Sequence, residues 1–208
     1  MKVLLVNGSP REHGCTYTAL EEMARTLEGE GIGADIFWIG NKPIAGCIGC
    51  GGCRKSGGRC VFGGDKVTEF IDRIDDYDGF VFGSPVHYAA AGGAVTCFMD
   101  RVFYSAGAKM RSKPGAAIVS ARRAGTTAAL DQLNKYFYIS GMPIPTSQYW
   151  PMVHGNTPEE VRQDAEGLQI LRLLAKNMAW LLKCIESGKQ AGIQPPEREP
   201  WARTNFIR

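Results

Sequence analysis

Residues 2–31 read KVLLVNGSPREHGCTYTALEEMARTLEGEG and form an apolar run, a polar turn and an amphipathic segment in direct succession. The run from Val3 to Val6 is apolar without alternation, which is typical of a strand buried on both faces of a sheet. After the turn, apolar residues recur at helical spacing and stop before a glycine; they are Leu20, Met23, Ala24 and Leu27. A buried strand followed at once by an amphipathic helix predicts an α/β fold with parallel strands.

The same alternation continues along the chain. Further apolar runs predict strands at 34–40, 77–85, 114–121 and, as a short fifth strand, 142–147. Helical patterns lie between them and after them, at 65–76, with Asp65 as the N-cap, then at 92–106, 126–140 and 157–188. The last of these begins with a capping box of Thr157 and Glu160 around Pro158, and we predict that it continues as one helix. Strands and helices in this order predict a doubly wound sheet with right-handed crossovers.

Composition and charge narrow the class of protein. The 208 residues include 24 Lys and Arg against 21 Asp and Glu, a net charge of +3 that is too small to indicate a nucleic-acid partner. The apolar run near the start is shorter than a signal-peptide core, and no run approaches the roughly 20 residues of a membrane span. We therefore predict a cytoplasmic protein with no membrane or nucleic-acid partner, built as one domain over 1–189 with an extended, proline-rich tail over 190–208.

The turn at 7–18 suits an anion. In a doubly wound sheet, ligands bind beyond the carboxyl ends of the strands, where the strand order reverses. This turn offers the hydroxyls of Ser9, Thr16 and Thr18, the Arg11 guanidinium and the amides of a helix N-terminus. Neither the dinucleotide-binding nor the nucleoside-triphosphate spacing of glycines is present, so the turn favours a terminal monophosphate. The alternative is an ordinary polar turn with a capping hydroxyl.

Two later turns face the same edge of the predicted sheet. Residues 83–93, GSPVHYAAAGG, combine backbone donors with an aromatic side chain, which suits a flat ring with polar edges. Residues 120–127, SARRAGTT, carry two arginines at the end of another strand. Each turn alone is weak evidence, since surface arginines are usually solvated and a tyrosine is usually packed.

The cysteines are concentrated in one place. The chain has seven, and four of them lie in CIGCGGCRKSGGRC, residues 47–60. An odd number in a chain that we predict to be cytoplasmic argues against a disulfide framework and for metal or thiol chemistry.

Taken together, GSPREHGCT (8–16), GSPVHY (83–88) and FMDR (98–101) resemble the flavodoxin-like flavoproteins of the NADPH-dependent FMN reductase and iron–sulfur flavoprotein group. Residues 122–137 and 147–161 resemble the subgroup described as flavodoxin family proteins or NAD(P)H-dependent oxidoreductases. The resemblance implies a three-layer sandwich with a five-stranded parallel sheet of order 2-1-3-4-5. It also implies that 1–189 is an FMN-binding domain that includes a cysteine-rich loop over 42–64.

The resemblance also implies a role for particular residues. The FMN phosphate would be held by Ser9, Arg11, Cys15 and Thr16. The isoalloxazine ring would lie along Pro85, Val86, His87 and Tyr88, and its other side would be closed by Ala121, Arg122 and Arg123. Members of the group are commonly homodimers or homotetramers with the flavin near a subunit boundary. Trp150 and His154 are then expected to reach a flavin, either of this chain or of a partner.

The cysteine loop has three interpretations. Its spacing resembles the compact motif of the iron–sulfur flavoproteins, in which Cys47, Cys50, Cys53 and Cys60 would bind a [4Fe–4S] cluster. A thiol/disulfide couple is the second interpretation. Zinc or another metal is the third, although zinc sites usually pair two cysteine couples across a longer gap.

These implications predict an FMN-dependent oxidoreductase. Electrons would pass from NAD(P)H or a protein donor through FMN to a small acceptor such as a quinone or a flavin. The alternative is an iron–sulfur flavoprotein that transfers electrons between protein partners, one of them ferredoxin-like.

Overall fold

The computed structural model describes residues 1–202 and 204. The strands within these residues are β1 (Lys2–Asn7), β2 (Gly33–Trp38), β3 (Gly79–His87), β4 (Ala90–Ala91), β5 (Gly115–Ala121) and β6 (Met152–His154). The α-helices are α1 (Cys15–Gly29), α2 (Lys66–Arg73), α3 (Gly93–Ala106), α4 (Thr126–Ser140), α5 (Pro158–Gln163) and α6 (Ala165–Gln190). None of the described helices is long and apolar enough to cross a membrane.

Five strands form one parallel sheet in the order β2-β1-β3-β5-β6, which confirms the predicted order 2-1-3-4-5. The short β4 pairs antiparallel with the end of β3. Alternate residues of β1 point to opposite faces, so Leu4 and Val6 join an apolar cluster with α2, α3 and α4, while Val3 and Leu5 join another with α1 and α6. The sheet is therefore the middle layer of a three-layer sandwich, as predicted.

The predicted fifth strand at 142–147 is wrong, because the strand lies at Met152–His154 instead. Pro143 and Pro145 have no N–H to give to a sheet, and Pro151 stands immediately before β6. The segment touches β5 at its two ends: the Gly115 amide donates to the Pro143 carbonyl at 3.0 Å, and the Val119 amide donates to the Pro151 carbonyl at 3.1 Å. Only beyond Pro151 does regular pairing begin.

The single last helix that we predicted is also wrong. Asp164 leaves the helical conformation (φ −74°, ψ 77°) and separates α5 from α6. Its carboxylate accepts from the Gly167 amide at 2.9 Å and so caps the second helix. The predicted start is confirmed, with the Thr157 hydroxyl accepting from the Glu160 amide at 3.3 Å. After Gln190, residues 191–202 and 204 contain no helix or strand, and 203 and 205–208 of the predicted tail lie outside the described residues.

Candidate functional site

Three turns meet at the carboxyl ends of β1, β3 and β5 and enclose a cleft of about 250 Å³. Because β1 lies between β2 and β3, this is the point where the strand order reverses. Nine of the eleven predicted cofactor-binding residues line the cleft: Ser9, Arg11, Cys15, Thr16, Pro85, Val86, His87, Ala121 and Arg122. The other two, Tyr88 and Arg123, do not line it, so their contact with a cofactor stays a prediction.

The turn after β1 is held by side chains that the sequence did not single out. Asn7 is fully buried; its side-chain oxygen accepts from the Ser9 amide at 3.1 Å, and its side-chain nitrogen donates to the Glu12 carbonyl at 2.8 Å. From the end of β2, the Trp38 indole donates to the Ser9 carbonyl at 2.8 Å. These bonds fix the turn from both sides, so its donors are oriented before any ligand arrives.

The N-terminus of α1 opens into the cleft without a cap. Its N-cap residue is Gly14, and no described side chain accepts from the first-turn amides. No acidic residue lies in that turn, so the positive end of the helix dipole is not neutralised. The Ser9 hydroxyl accepts from the Arg11 amide at 3.1 Å, which leaves its own proton free to donate. Free amides, a hydroxyl and the Arg11 guanidinium are the donors that a terminal phosphate requires, so this end of the cleft fits FMN.

Further lining residues are Pro10 of the turn after β1, Ser120 of β5, and Gly155 and Asn156, which follow β6. The Ser120 hydroxyl lies 2.8 Å from that of Thr16 and ties α1 to β5. The Cys15 thiol donates to the Gly155 carbonyl at 3.6 Å, and burial raises the pKa of this thiol, so it keeps its proton at neutral pH. Nothing in the local sequence distinguished Ser120, Gly155 and Asn156, because the order of the strands in the sheet brings them to the cleft.

A strained hairpin at the end of β3 forms one wall of the cleft. Val86 pairs with Ala91 and His87 with Ala90, so Tyr88 and Ala89 make the turn with φ values of 49° and 62°. Both values lie in the left-handed region, where such a turn normally has asparagine or glycine. Gly125, just before α4, supports the turn, since a Cβ there would lie 2.6 Å from the Ala89 Cα. Strained backbone of this kind often accompanies a functional site.

The cysteine loop runs from the end of β2 to α2 and contains a single 3₁₀ turn, Gly52–Arg54, within the described chain. Cys47, Cys50, Cys53 and Cys60 all line one small pocket of about 20 Å³, beside Arg101. Cys47 and Cys50 are exposed, whereas Cys53 is buried. The fold thus brings together the four thiols that the sequence spacing selected.

Arg101 on α3 holds this loop in place. Its side chain is 1% exposed, and its Nε donates to the Cys60 sulfur at 3.4 Å. Its other nitrogens donate to the Phe62 carbonyl at 2.7 Å, to the Ala45 carbonyl at 3.5 Å and to the Asp65 carboxylate. Burial opposes the charged form of Asp65, but hydrogen bonds from Arg101 and the Thr68 amide outweigh it, so the pKa of Asp65 lies below its usual range. The sequence placed Arg101 in a family motif without predicting this role.

The four thiols are not arranged as a metal site in this conformation. Among the described residues, no three His, Cys, Asp or Glu side chains are grouped closely enough to hold a metal ion. Thiolate chemistry suits an iron–sulfur cluster or zinc. The spatial arrangement of the four thiols in this conformation fits neither group.

Comparison with known proteins decides the family. The sequence model of the NADPH-dependent FMN reductases matches residues 1–157, which include the three turns of the cleft and the cysteine loop. The chain belongs to the NADPH-dependent FMN reductase family. This confirms the predicted family and makes the protein a member of a flavin-binding oxidoreductase family.

Individual relatives and solved structures are also similar to this chain. An iron-sulfur flavoprotein of Methanocaldococcus jannaschii is 29% identical over 194 residues, covering 89% of this chain and 100% of that protein. Among solved structures, RosB with a bound 8-demethyl-8-formylriboflavin-5′-phosphate has a TM-score of 0.69 at 13% identity, over 100% of this chain and 92% of that chain. A flavodoxin from the domain Archaea has a TM-score of 0.59 at 16% identity, over 88% and 99%. At such identities the structures confirm the flavodoxin-like fold alone.

Proposed function

We propose that the protein is an FMN-dependent oxidoreductase that takes electrons from NAD(P)H or a protein donor and passes them to a small acceptor such as a quinone or a flavin. The observation that carries this proposal is the uncapped N-terminus of α1, which opens into the cleft beside Arg11 and the free Ser9 hydroxyl. FMN, when bound, supplies the transfer of hydride or of single electrons.

The chain's own residues bind and orient the cofactor in this proposal. Ser9, Arg11, Thr16 and the Cys15 amide hold the phosphate, and the bonds from Asn7 and Trp38 keep these donors in position. The hairpin segment Pro85, Val86, His87 and Tyr88 lies along one side of the ring, and Ala121, Arg122 and Arg123 close the other side. Because Cys15 keeps its proton, its thiol adds no negative charge beside the phosphate.

We also propose that the chain works in the cytoplasm as a homodimer or homotetramer. The described surface exposes large apolar side chains on α4 and α6, among them Ile139 and Trp180 at 79% and 67%. Exposed apolar groups of this size are what an interface between copies would cover. Light scattering at several concentrations tests this, and a monomer at all of them contradicts it.

Anaerobic reduction tests the main proposal. The purified chain is reconstituted with FMN and mixed with NADPH or NADH, and the flavin absorbance is followed. We expect bleaching, and bleaching by neither nucleotide contradicts the nicotinamide-dependent form.

Arg11→Met should weaken FMN binding by about 10- to 100-fold, because a hydrogen bond to a charged group is lost. Arg25→Met, on the exposed side of the same helix, is the matched control and should leave FMN binding unchanged.

The second candidate function is electron transfer between protein partners by an iron–sulfur flavoprotein, with a ferredoxin-like protein as one partner. The observation in its favour is that all four loop cysteines line one pocket. Moreover, α3 starts at Gly93 beside the hairpin of the cleft and reaches Arg101 eight residues later, about 12 Å along the helix axis. Iron and sulfide assays on anaerobically purified protein test it: about four irons per chain support the cluster, and iron-free protein that cannot be loaded contradicts it.

A further inference from the structure

A second cavity, of about 420 Å³, lies at the outer edge of β5, away from the cleft. We call it the β5-edge cavity. Its floor is Ala116 and Ala117 of β5, and its outer wall is the segment 144–151, which the prolines keep away from the sheet. Leu130, Asn134 and Tyr138, four residues apart on α4, form one side, and Leu174 of α6 contributes to the other.

The outer wall is a fixed structure rather than a loose loop. At its two ends, the carbonyls of Pro143 and Pro151 accept from β5. In between, the Ser147 hydroxyl donates to the Ile170 carbonyl at 2.7 Å, and the Asn177 side-chain nitrogen donates to the Thr146 carbonyl at 2.7 Å. Four hydrogen bonds therefore attach the segment to β5 and to α6.

Ala117 presents unpaired backbone groups to this cavity. The amides of Gly115 and Val119 donate to the outer segment, and alternate residues of a strand direct their backbone groups to the same side. Ala117 therefore directs both its N–H and its C=O toward the cavity. Neither group has a hydrogen-bond partner among the described residues, although Ala117 is only 2% exposed. Because the cavity is large enough for water to reach these groups, a ligand that displaces this water binds well only if it satisfies both of them.

The rest of the lining defines the ligand further. No lining residue carries a charge, and the walls include Tyr138, Tyr149 and Trp150. The Asn134 and Gln148 amides also line the cavity and make no side-chain hydrogen bond to a described residue. Aromatic walls with a few neutral polar groups are typical of sites for small flat molecules, and the volume lies within the usual range of about 300–1,000 Å³.

We propose that the β5-edge cavity binds a neutral, flat ring compound that carries an N–H donor next to a carbonyl acceptor, that is, a lactam or a carboxamide. The adjacent N–H and C=O of Ala117 match such an edge in a two-point contact, and the aromatic side chains cover the ring. A plain quinone, which has acceptors only, leaves the Ala117 carbonyl unpaired. The site is separate from the FMN cleft and does not depend on the proposed function.

The site also has a structural link to the cleft. Its outer wall continues directly into β6, and the two residues after β6, Gly155 and Asn156, line the cleft. A ligand that presses on the 144–151 segment therefore acts on a strand that ends at the candidate flavin site.

Calorimetric titration with 1(2H)-isoquinolinone, a neutral bicyclic lactam, tests the proposal. The protein is first saturated with FMN so that the cleft is filled. We expect saturable binding of one equivalent, and binding by the N-methyl lactam that is at least about tenfold weaker because the donor is gone. Hydrogen exchange gives a direct readout: the lactam should slow the Ala117 amide at least about tenfold, while the Ala116 amide, which faces β3, stays unchanged.

Two variants test whether the lactam binds in the β5-edge cavity. Asn134→Leu should weaken lactam binding at least about fivefold, since it removes a polar group from the wall. Tyr138→Ala should weaken it by removing part of the aromatic cover. Lys135→Leu, the exposed neighbour on α4, is the matched control. The proposal is overturned if the lactam does not bind, if the N-methyl lactam binds equally well, or if both wall variants bind the lactam like the unmodified protein.

Discussion

The turn after β1 and the cysteine loop after β2 leave neighbouring strands, but they are held in different ways. The first is short, and its conformation is fixed by neutral hydrogen bonds from Asn7 and Trp38 at the strand ends themselves. The second is long and is anchored by one buried guanidinium, Arg101, which reaches Ala45, Cys60, Phe62 and Asp65. We therefore expect the turn to keep its shape by itself, and the cysteine loop, whose buried side-chain contacts converge on Arg101, to depend on that one residue.

Removing the anchor should have the largest effect. Arg101→Met leaves the Asp65 carboxylate without its partner and releases three further contacts of the loop. Breaking a buried ion pair costs about 3–5 kcal/mol of unfolding free energy, and we expect about 3 because Asp65 is partly exposed. Urea denaturation measures the change.

Two further variants test whether the loss of stability comes from the contacts of Arg101 or only from the loss of a positive charge. Arg101→Lys keeps the charge and should recover part of the stability. Arg59→Met removes an exposed arginine of the same loop, which pairs with Asp72 of α2. This variant should change the free energy of unfolding little. If Arg101→Met unfolds at the urea concentration of the unmodified protein, Arg101 is not the anchor.

The second test adds one methyl group to each of the two regions and compares the losses of stability. In Gly8→Ala, the added Cβ would lie 2.6 Å from the Gly83 carbonyl and would overlap the Val95 side chain, so the backbone of the rigid turn must shift. Forcing an extra carbon into a packed site costs about 1–3 kcal/mol, and we expect about 2. Gly63→Ala, in the cysteine loop, places its Cβ 3.9 Å from the nearest atom and should be nearly neutral. Equal losses in both variants would contradict the contrast.

The pre-organisation of the turn is tested by Trp38→Phe. The substitution keeps an aromatic side chain but removes the N–H that donates to the Ser9 carbonyl. A single hydrogen bond is worth about 1 kcal/mol, so FMN affinity should fall about fivefold. Fluorescence titration with FMN measures it. Trp201→Phe, in the exposed segment after α6, is the matched control and should bind FMN normally. An affinity unchanged in Trp38→Phe would mean that Asn7 alone fixes the turn.

These contrasts also explain what could be predicted from the sequence. The order of the parallel strands and nine of the cleft-lining residues follow from local patterns together with the family resemblance, because a strand's end and the turn after it are adjacent in sequence. The fifth strand lies at Met152–His154 rather than at the predicted 142–147, because Pro143 and Pro145 remove backbone donors that a strand would need. Trp38, Arg101 and Ser120 act on partners distant in sequence. Spacing along the chain does not contain that information.

The smallest expected effect is the response of the two regions to acid. The pKa of Asp65 is lowered in the folded protein, so its contribution to stability is complete above its unfolded value of about 3.9 and is lost as the pH falls through the lower folded value. The turn after β1 is held by neutral bonds, which do not titrate. On lowering the pH from about 6 to 3, hydrogen exchange in 45–64, corrected for intrinsic rates, should accelerate before exchange in 8–14.

Asp65→Asn should remove the difference in pH dependence, because its side chain cannot lose or gain the proton that breaks the contact with Arg101. If both regions loosen together in the unmodified protein, the cysteine loop has an anchor other than this ion pair, and the carbonyl contacts of Arg101 with Ala45 and Phe62 are sufficient to hold it.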